Sequence, residues 1–192
     1  HGPVMGGLGP DSIRIYIRTN NPVQFTVEYS TNADFNAALS ITDSTRIWRD
    51  NSIIFSLNGL QPNTTYYFRF AFGGNYDSRK GRFKTPPMTG TPGHFVFAAG
   101  SCHETSNMDV FTHIPSHQPD LFIHMGDYTY PSYQLSNNYP ADFSEVELAY
   151  RRRYEEVNMD TMLFNLPIAY INDDDDGFGP SADGWYKWTG DS

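Results

Sequence analysis

The stretch "PDLFIHMGDYTY", Pro119 to Tyr130, decides how the second half of this chain folds. A short apolar run leads from Leu121 into Gly126 and Asp127, where polar and aromatic residues take over. Such a run, bounded by Pro before and Gly after, reads as a strand of a parallel sheet, buried on both faces. Two similar runs flank it, "HFVFAAGS" (94–101) and "LPIAYIND" (166–173). Between the second and third, "FSEVELAYRRRYEEV" places Phe143, Val146, Ala149, Tyr150, Arg153, Tyr154 and Val157 at helical spacing. Ser144 and Glu147 have the spacing of a capping box for this helix, and the charges of Arg151, Arg152 and Arg153 are expected to face solvent. "DVFTHIP" (109–115) reads as a short helix. The order strand, helix, strand, helix, strand predicts an α/β layer with parallel strands.

Towards the N-terminus the pattern changes to period two. In "SIRIYIRT", Ile13, Ile15 and Ile17 share one face; "VQFTVEY" repeats this with Val23, Phe25, Val27 and Tyr29. Ile53, Phe55 and Leu57 continue it, as do Tyr66, Phe68, Phe70 and Phe72. Short alternating strands separated by Asn, Gly and Pro turns predict an antiparallel β-sandwich. Within it, "LQPNTTY" sets Leu60, Pro62, Thr64 and Tyr66 at the spacing of the tyrosine corner of fibronectin type III-like sandwiches. "TPPMTGTPG" (85–93) is dense in Pro, Gly and Thr and reads as a linker. The expected organisation is a sandwich over 1–86, a linker over 87–93 and an α/β layer over 94–192.

Charge and composition exclude whole classes. The 192 residues carry a formal net charge of −9, which opposes binding of a nucleic-acid polymer. No apolar run reaches the ~18 residues that a membrane helix needs. Cys102 is the only cysteine, so no internal disulfide forms. The opening "HGPVMGG" reads as a processed mature end or as an arbitrary boundary, and Asn63-Thr64-Thr65 is an N-glycosylation sequon. A processed end and the sequon both favour an extracytoplasmic location.

In parallel α/β sheets, ligands bind beyond the carboxyl ends of the strands. Those ends carry Gly100-Ser101-Cys102, then Gly126-Asp127-Tyr128-Thr129-Tyr130, then Asn172 followed by Asp173 to Asp176. Each has a bland reading: a small buried thiol, a turn, a packed ring, a solvated acidic loop. Their arrival at three consecutive strand ends favours a metal site, because thiolate with oxygen donors suits a transition metal and carboxylates suit a hard divalent ion. An EF-hand-like reading of Asn172 to Asp183 is weaker, since Gly179 stands where an apolar residue belongs.

In order, "FVFAAGSC", "PDLFIHMGDYTY", "YRRRY" and "LPIAYINDDDDGFGP" resemble the opening blocks of alkaline phosphatase D-like metallophosphoesterases. The preceding "HGPVMGGLGPDSIRIYIRT" and "GRFKTPP" resemble the domain that precedes the catalytic one in that family, and purple acid phosphatases have a similar arrangement. The resemblance implies a fibronectin III-like sandwich followed by the first half of an α/β metallophosphoesterase layer. It implies a secreted iron- and calcium-dependent phosphomonoesterase or phosphodiesterase acting on a small phosphate ester. Cys102 and Tyr130 then become iron ligands, Asp127 the carboxylate bridging two metals, and Asp173 and Asp174 the family's acidic pair, with Asp174 preferred as ligand. Two departures stand out. The family's histidine is Asp175 here and its tryptophan Asn172, so turnover is expected to suffer. The second βαβ half, with its further ligands, lies outside these residues, which leaves an uncovered sheet edge for another copy or partner. The alternative reading is therefore a non-catalytic extracellular assembly protein on the same scaffold.

Overall fold

Alternating apolar residues become strands with one buried face. The computed structural model describes residues 1–102, 109–131, 143–173 and 176. Strands β1 (Val4–Gly6), β2 (Ser12–Arg18) and β5 (Ser52–Asn58) form one antiparallel sheet, in which Ile15 pairs with Met5 and with Phe55. A second sheet orders β4 (Leu39–Ser44), β3 (Gln24–Ser30), β6 (Thr65–Phe72) and β7 (Asn75–Tyr76), with β8 (Gly81–Lys84) also paired to β6. Ile13, Ile15, Phe55 and Leu57 from the first sheet meet Phe25, Val27, Phe68 and Phe70 from the second in one core. Phe72 departs from the expected alternation: at the end of β6 it is 39% exposed and sets its ring edge-on to Phe25. Tyr66 closes its corner, its hydroxyl accepting from the Gln61 N–H at 2.9 Å while its ring stacks on Phe83.

The second half builds a three-stranded parallel sheet. Strands β9 (Phe97–Gly100), β10 (Leu121–His124) and β11 (Ile168–Tyr170) lie in the order β11-β10-β9. In the middle strand Phe122 and His124 are buried while Leu121 and Ile123 are half-buried, and among the described residues β9 is an edge strand with Phe97 61% exposed, so neither apolar run is buried on both faces. α1 (Val110–His113) runs into a 3-10 turn over Ile114–His117. α2 spans Phe143–Glu155, so Ser144 lies within its first turn, and Glu147 meets Arg151 at 2.6 Å. The sequence reading placed no helix after it, yet α3 (Val157–Asn165) follows at once. Met159, Met162, Leu163 and Leu166 carry the helical spacing and pack with Phe111, Phe122 and Tyr128 in a second core.

The two cores meet through α3. Its Phe164 belongs to the sandwich core, stacked on Phe68 with ring centroids 5.6 Å apart. Gly81 makes this approach feasible, because a Cβ there would lie 2.2 Å from the Phe68 ring and 2.7 Å from the Phe164 carbonyl oxygen. Polar contacts flank the stack. Asp50 binds Arg18 at 2.6 Å and Arg151 of α2 at 2.7 Å, and His1 Nε2 meets Glu155 at 2.7 Å.

Phe164→Ala is expected to destabilise the chain by about 3–5 kcal/mol, because it empties a buried aromatic site shared by both cores. Tyr66→Phe removes a single hydrogen bond and is expected to lose about 1 kcal/mol. Urea unfolding of both variants checks the ranking; a Phe164→Ala loss below that of Tyr66→Phe would contradict it.

Candidate functional site at the strand tips

Hydrogen bonding continues past the strand ends and draws the tips together. Met125 N–H donates to Gly100 O at 2.8 Å, Cys102 N–H to Gly126 O at 3.2 Å, and Ile171 N–H to His124 O at 3.0 Å. The chain then turns sharply at the tips of β9 and β10. Cys102 has φ +55°, Gly126 φ +101° and Asp127 φ +53°. Left-handed backbone at residues other than glycine is uncommon and gathers at ligand sites. Gly126 has a packing reason as well, since a Cβ there would lie 2.6 Å from the Asp173 Cβ and 2.7 Å from its Oδ2.

Three of the sequence-predicted ligands meet. The Cys102 thiol lies 3.4 Å from Asp127 Oδ2, and the Tyr130 hydroxyl lies 3.5 Å from the same oxygen. The Tyr130 contact is long for an O–H hydrogen bond, whereas 3.4 Å is an ordinary distance for a thiol donating to a carboxylate. Both distances are close to the spacing of donors on adjacent corners of a coordination shell, roughly 3 Å for bonds of about 2.0–2.3 Å. Ionised together, thiolate, phenolate and carboxylate would place three negative charges side by side, which a cation relieves. Cys102 is exposed and Asp127 and Tyr130 are half-buried, so the cluster is open to solvent. Among the described residues, no group of three or more His, Cys, Asp or Glu side chains gathers that could hold a metal ion. Asp174 and Asp175 lie outside the described residues.

Two residues that the sequence reading passed over support this rim. Asp176, 4% exposed, accepts the Thr129 N–H at 2.8 Å and the Asp173 N–H at 2.9 Å. Each of its oxygens thus accepts a backbone N–H, which ties Asp176 to the loop after β10 and to the tip of β11. Arg153, expected in solvent, is 2% exposed; its Nε donates to Tyr128 O at 2.8 Å and its NH1 meets Glu156 at 2.9 Å. Its position on the same face as Ala149 and Tyr150 was the available signal. Nothing in four consecutive aspartates distinguishes the last.

Behind the rim lies an aromatic cage. His124, 1% exposed, sits edge-on to Tyr128 at 5.0 Å, with Phe122 and Tyr170 beside it. Burial lowers its imidazole pKa to about 4, with Asp176 opposing and Arg153 assisting. The Tyr150 and Tyr170 hydroxyls touch, and burial pushes both phenols up. Away from the rim, Asp50 is held to about 2 by its hydrogen bond from Arg18. Asn63 is exposed at the tyrosine-corner turn, with φ +48° and its N–H on Pro86 O.

Residues 1–87 match the family model described as PhoD-like phosphatase, N-terminal domain. Alkaline phosphatase D of Bacillus subtilis (strain 168) is 35% identical over 83 residues, 42% of this chain and 14% of that protein. The solved structure titled "Structure of PhoD" superposes with a TM-score of 0.75 at 21% identity, covering 90% of this chain and 38% of the other. The match therefore reaches into the parallel sheet, and this chain spans well under half the length of either relative. The FN1–FN3 domains of chicken CNTN1 give a TM-score of 0.33 at 21% identity over 43% of this chain and 30% of theirs.

The buried neutral His124 sets a pH dependence. Its folded pKa lies below its unfolded value of ~6.5, so between pH 6.5 and 4 the unfolded chain takes up the proton first and stability falls as pH falls. Wild type is expected to lose up to roughly 3 kcal/mol more than His124→Phe across that window. Unfolding titrations at several pH values measure this; parallel curves would contradict it.

Proposed function

We propose that this chain, whose residues 1–87 belong to the family of PhoD-like phosphatase N-terminal domains, carries that domain and the first half of the α/β layer of a metal-dependent phosphoric ester hydrolase. Its substrates are phosphomonoesters or phosphodiesters of small molecules, and it works outside the cytoplasm. Among the described residues, no helix is long and apolar enough to cross a membrane. The division proposed is 1–86 for the sandwich, 87–93 for the linker and 94–192 for the catalytic layer. The end of β8 at Lys84 and the start of β9 at Phe97 support it.

The observation that carries this reading is the convergence of Cys102 and Tyr130 on Asp127 Oδ2, at 3.4 and 3.5 Å. Iron, with calcium beside it, would polarise the phosphoryl oxygens and activate the attacking water. Cys102 and Tyr130 supply the soft and phenolic donors that favour iron. Asp127, with two oxygens, is suited to bridge the pair of cations, and Asp174 is the further carboxylate assigned to them. Asp175 works against turnover. Its carboxylate repels an anionic ester and donates no proton to the leaving oxygen near neutral pH, where an imidazole would.

Among the described residues no strand pairs with the outer edge of β9, where Phe97 is 61% exposed, and this supports a second reading in which another copy pairs there in a non-catalytic extracellular assembly. Concentration-dependent association in light scattering, without metal uptake, would favour it.

Hydrolysis of p-nitrophenyl phosphate and of its bis-ester, with Fe(III) and Ca²⁺ added, tests the hydrolase reading. It is measured on this chain and on this chain extended by the remaining length of alkaline phosphatase D. Turnover is expected in the extended protein, lost by about a hundredfold or more in Asp127→Asn and raised in Asp175→His. Absence of both turnover and metal uptake in the two proteins would overturn it.

A further inference from the structure

Arg153 and Asp176 reach the same peptide group from opposite ends. Arg153 Nε donates to the Tyr128 carbonyl at 2.8 Å, while the N–H of Thr129, the other end of that peptide unit, donates to Asp176 Oδ1 at 2.8 Å. Both charged side chains are almost fully buried, at 2% and 4% exposure. Each has a second hold. Arg153 NH1 binds both Glu156 oxygens at 2.9 and 3.0 Å, and Asp176 Oδ2 accepts the Asp173 N–H at 2.9 Å. A cation on the oxygen and an anion on the N–H lie along the peptide dipole of about 3.5 D. Such charge-assisted bonds are roughly twice as strong as neutral ones and strengthen in a low-dielectric setting. Rotating this one peptide plane would break both.

We propose that Arg153 and Asp176 are a pair of positioning residues, which fix the Tyr128–Thr129 peptide and thereby set the directions in which Asp127 and Tyr130 leave the loop. Asp127 immediately precedes the gripped peptide and Tyr130 immediately follows it. Asp127 also has left-handed backbone, as does Gly126 before it, and the grip opposes relaxation of that turn. Through Asp173 N–H the same carboxylate ties the tip of β11 to the loop after β10. The consequence for metal binding rests on the ligand reading of Cys102, Asp127 and Tyr130 given above; the grip itself does not.

Two measurements on the chain separate these points. The first is amide hydrogen exchange by NMR without added metal, in Asp176→Asn and Arg153→Lys. Asn keeps the shape of Asp but offers one acceptor to two N–H groups, and Lys keeps the charge but shortens the reach. At least tenfold faster exchange of the Thr129 amide is expected in both variants, with Leu121 to His124 of β10 still protected. Unchanged exchange at Thr129, or loss of β10 protection in both variants, overturns the grip. The second is Fe(III) titration read by the phenolate-to-iron absorption of Tyr130. Wild type and Asp176→Glu are expected to develop the band, and Asp176→Asn to need about ten times more iron. A band in Asp176→Asn equal to wild type overturns the positioning role. A wild type without any band, while Thr129 exchange responds, upholds the grip and overturns the ligand reading.

Discussion

Two buried charges, Arg153 and Asp176, grip the loop at the parallel strand tips of this molecule. Arg153 and Asp176 are separated by a single peptide group, whose carbonyl takes the cation and whose N–H takes the anion. Burying either charge alone would be costly, and each is satisfied by backbone and by a second partner. The loop between them has little conformational choice left. It is the loop that carries Asp127 and Tyr130, and it reaches Cys102 through the Cys102 N–H to Gly126 O bond.

The sandwich supports that arrangement from a distance. Helix α2 brings Arg153 to the loop, and α2 is fastened to the sandwich on either side of it, by Arg151 to Asp50 and by Glu155 to His1. Helix α3 closes the connection by giving Phe164 to the sandwich core while Met159, Met162 and Leu163 go to the other. The first half is thus part of the frame that orients the strand tips, and the order of effects runs from core packing to helix position to loop geometry to ligand direction.

The parts legible in the sequence were those governed by short-range periodicity. Period two placed Ile13, Ile15 and Ile17 inside, and "LQPNTTY" announced the turn that Tyr66 closes. The strand-tip rule pointed to the stretches ending at Cys102 and running from Gly126 to Tyr130, the family resemblance singled out Cys102, Asp127 and Tyr130 within them, and the parallel order of β9 and β10 sets Cys102 against Asp127. What stayed hidden depends on three-dimensional pairing. Arg153 reads as one of three surface charges until a buried carbonyl is found opposite it. Asp176 is chemically identical to its three neighbours, and its role is set only by two backbone N–H groups that converge on it. The exposure of β9 follows from its place at the sheet edge, which an apolar run does not reveal. Helix α3 was missed because it follows α2 without a breaker, although its methionines and leucines carry the period.

The claim on which the proposed function depends is that the sulfur beyond β9 and the carboxylate and phenol beyond β10 share one cation. X-ray absorption at the iron edge, on the chain loaded with Fe(III), addresses it most directly. A sulfur scatterer at about 2.3 Å in wild type, replaced by oxygen in Cys102→Ser, is the result this account requires. An all-oxygen and nitrogen shell that is the same in both proteins would contradict it.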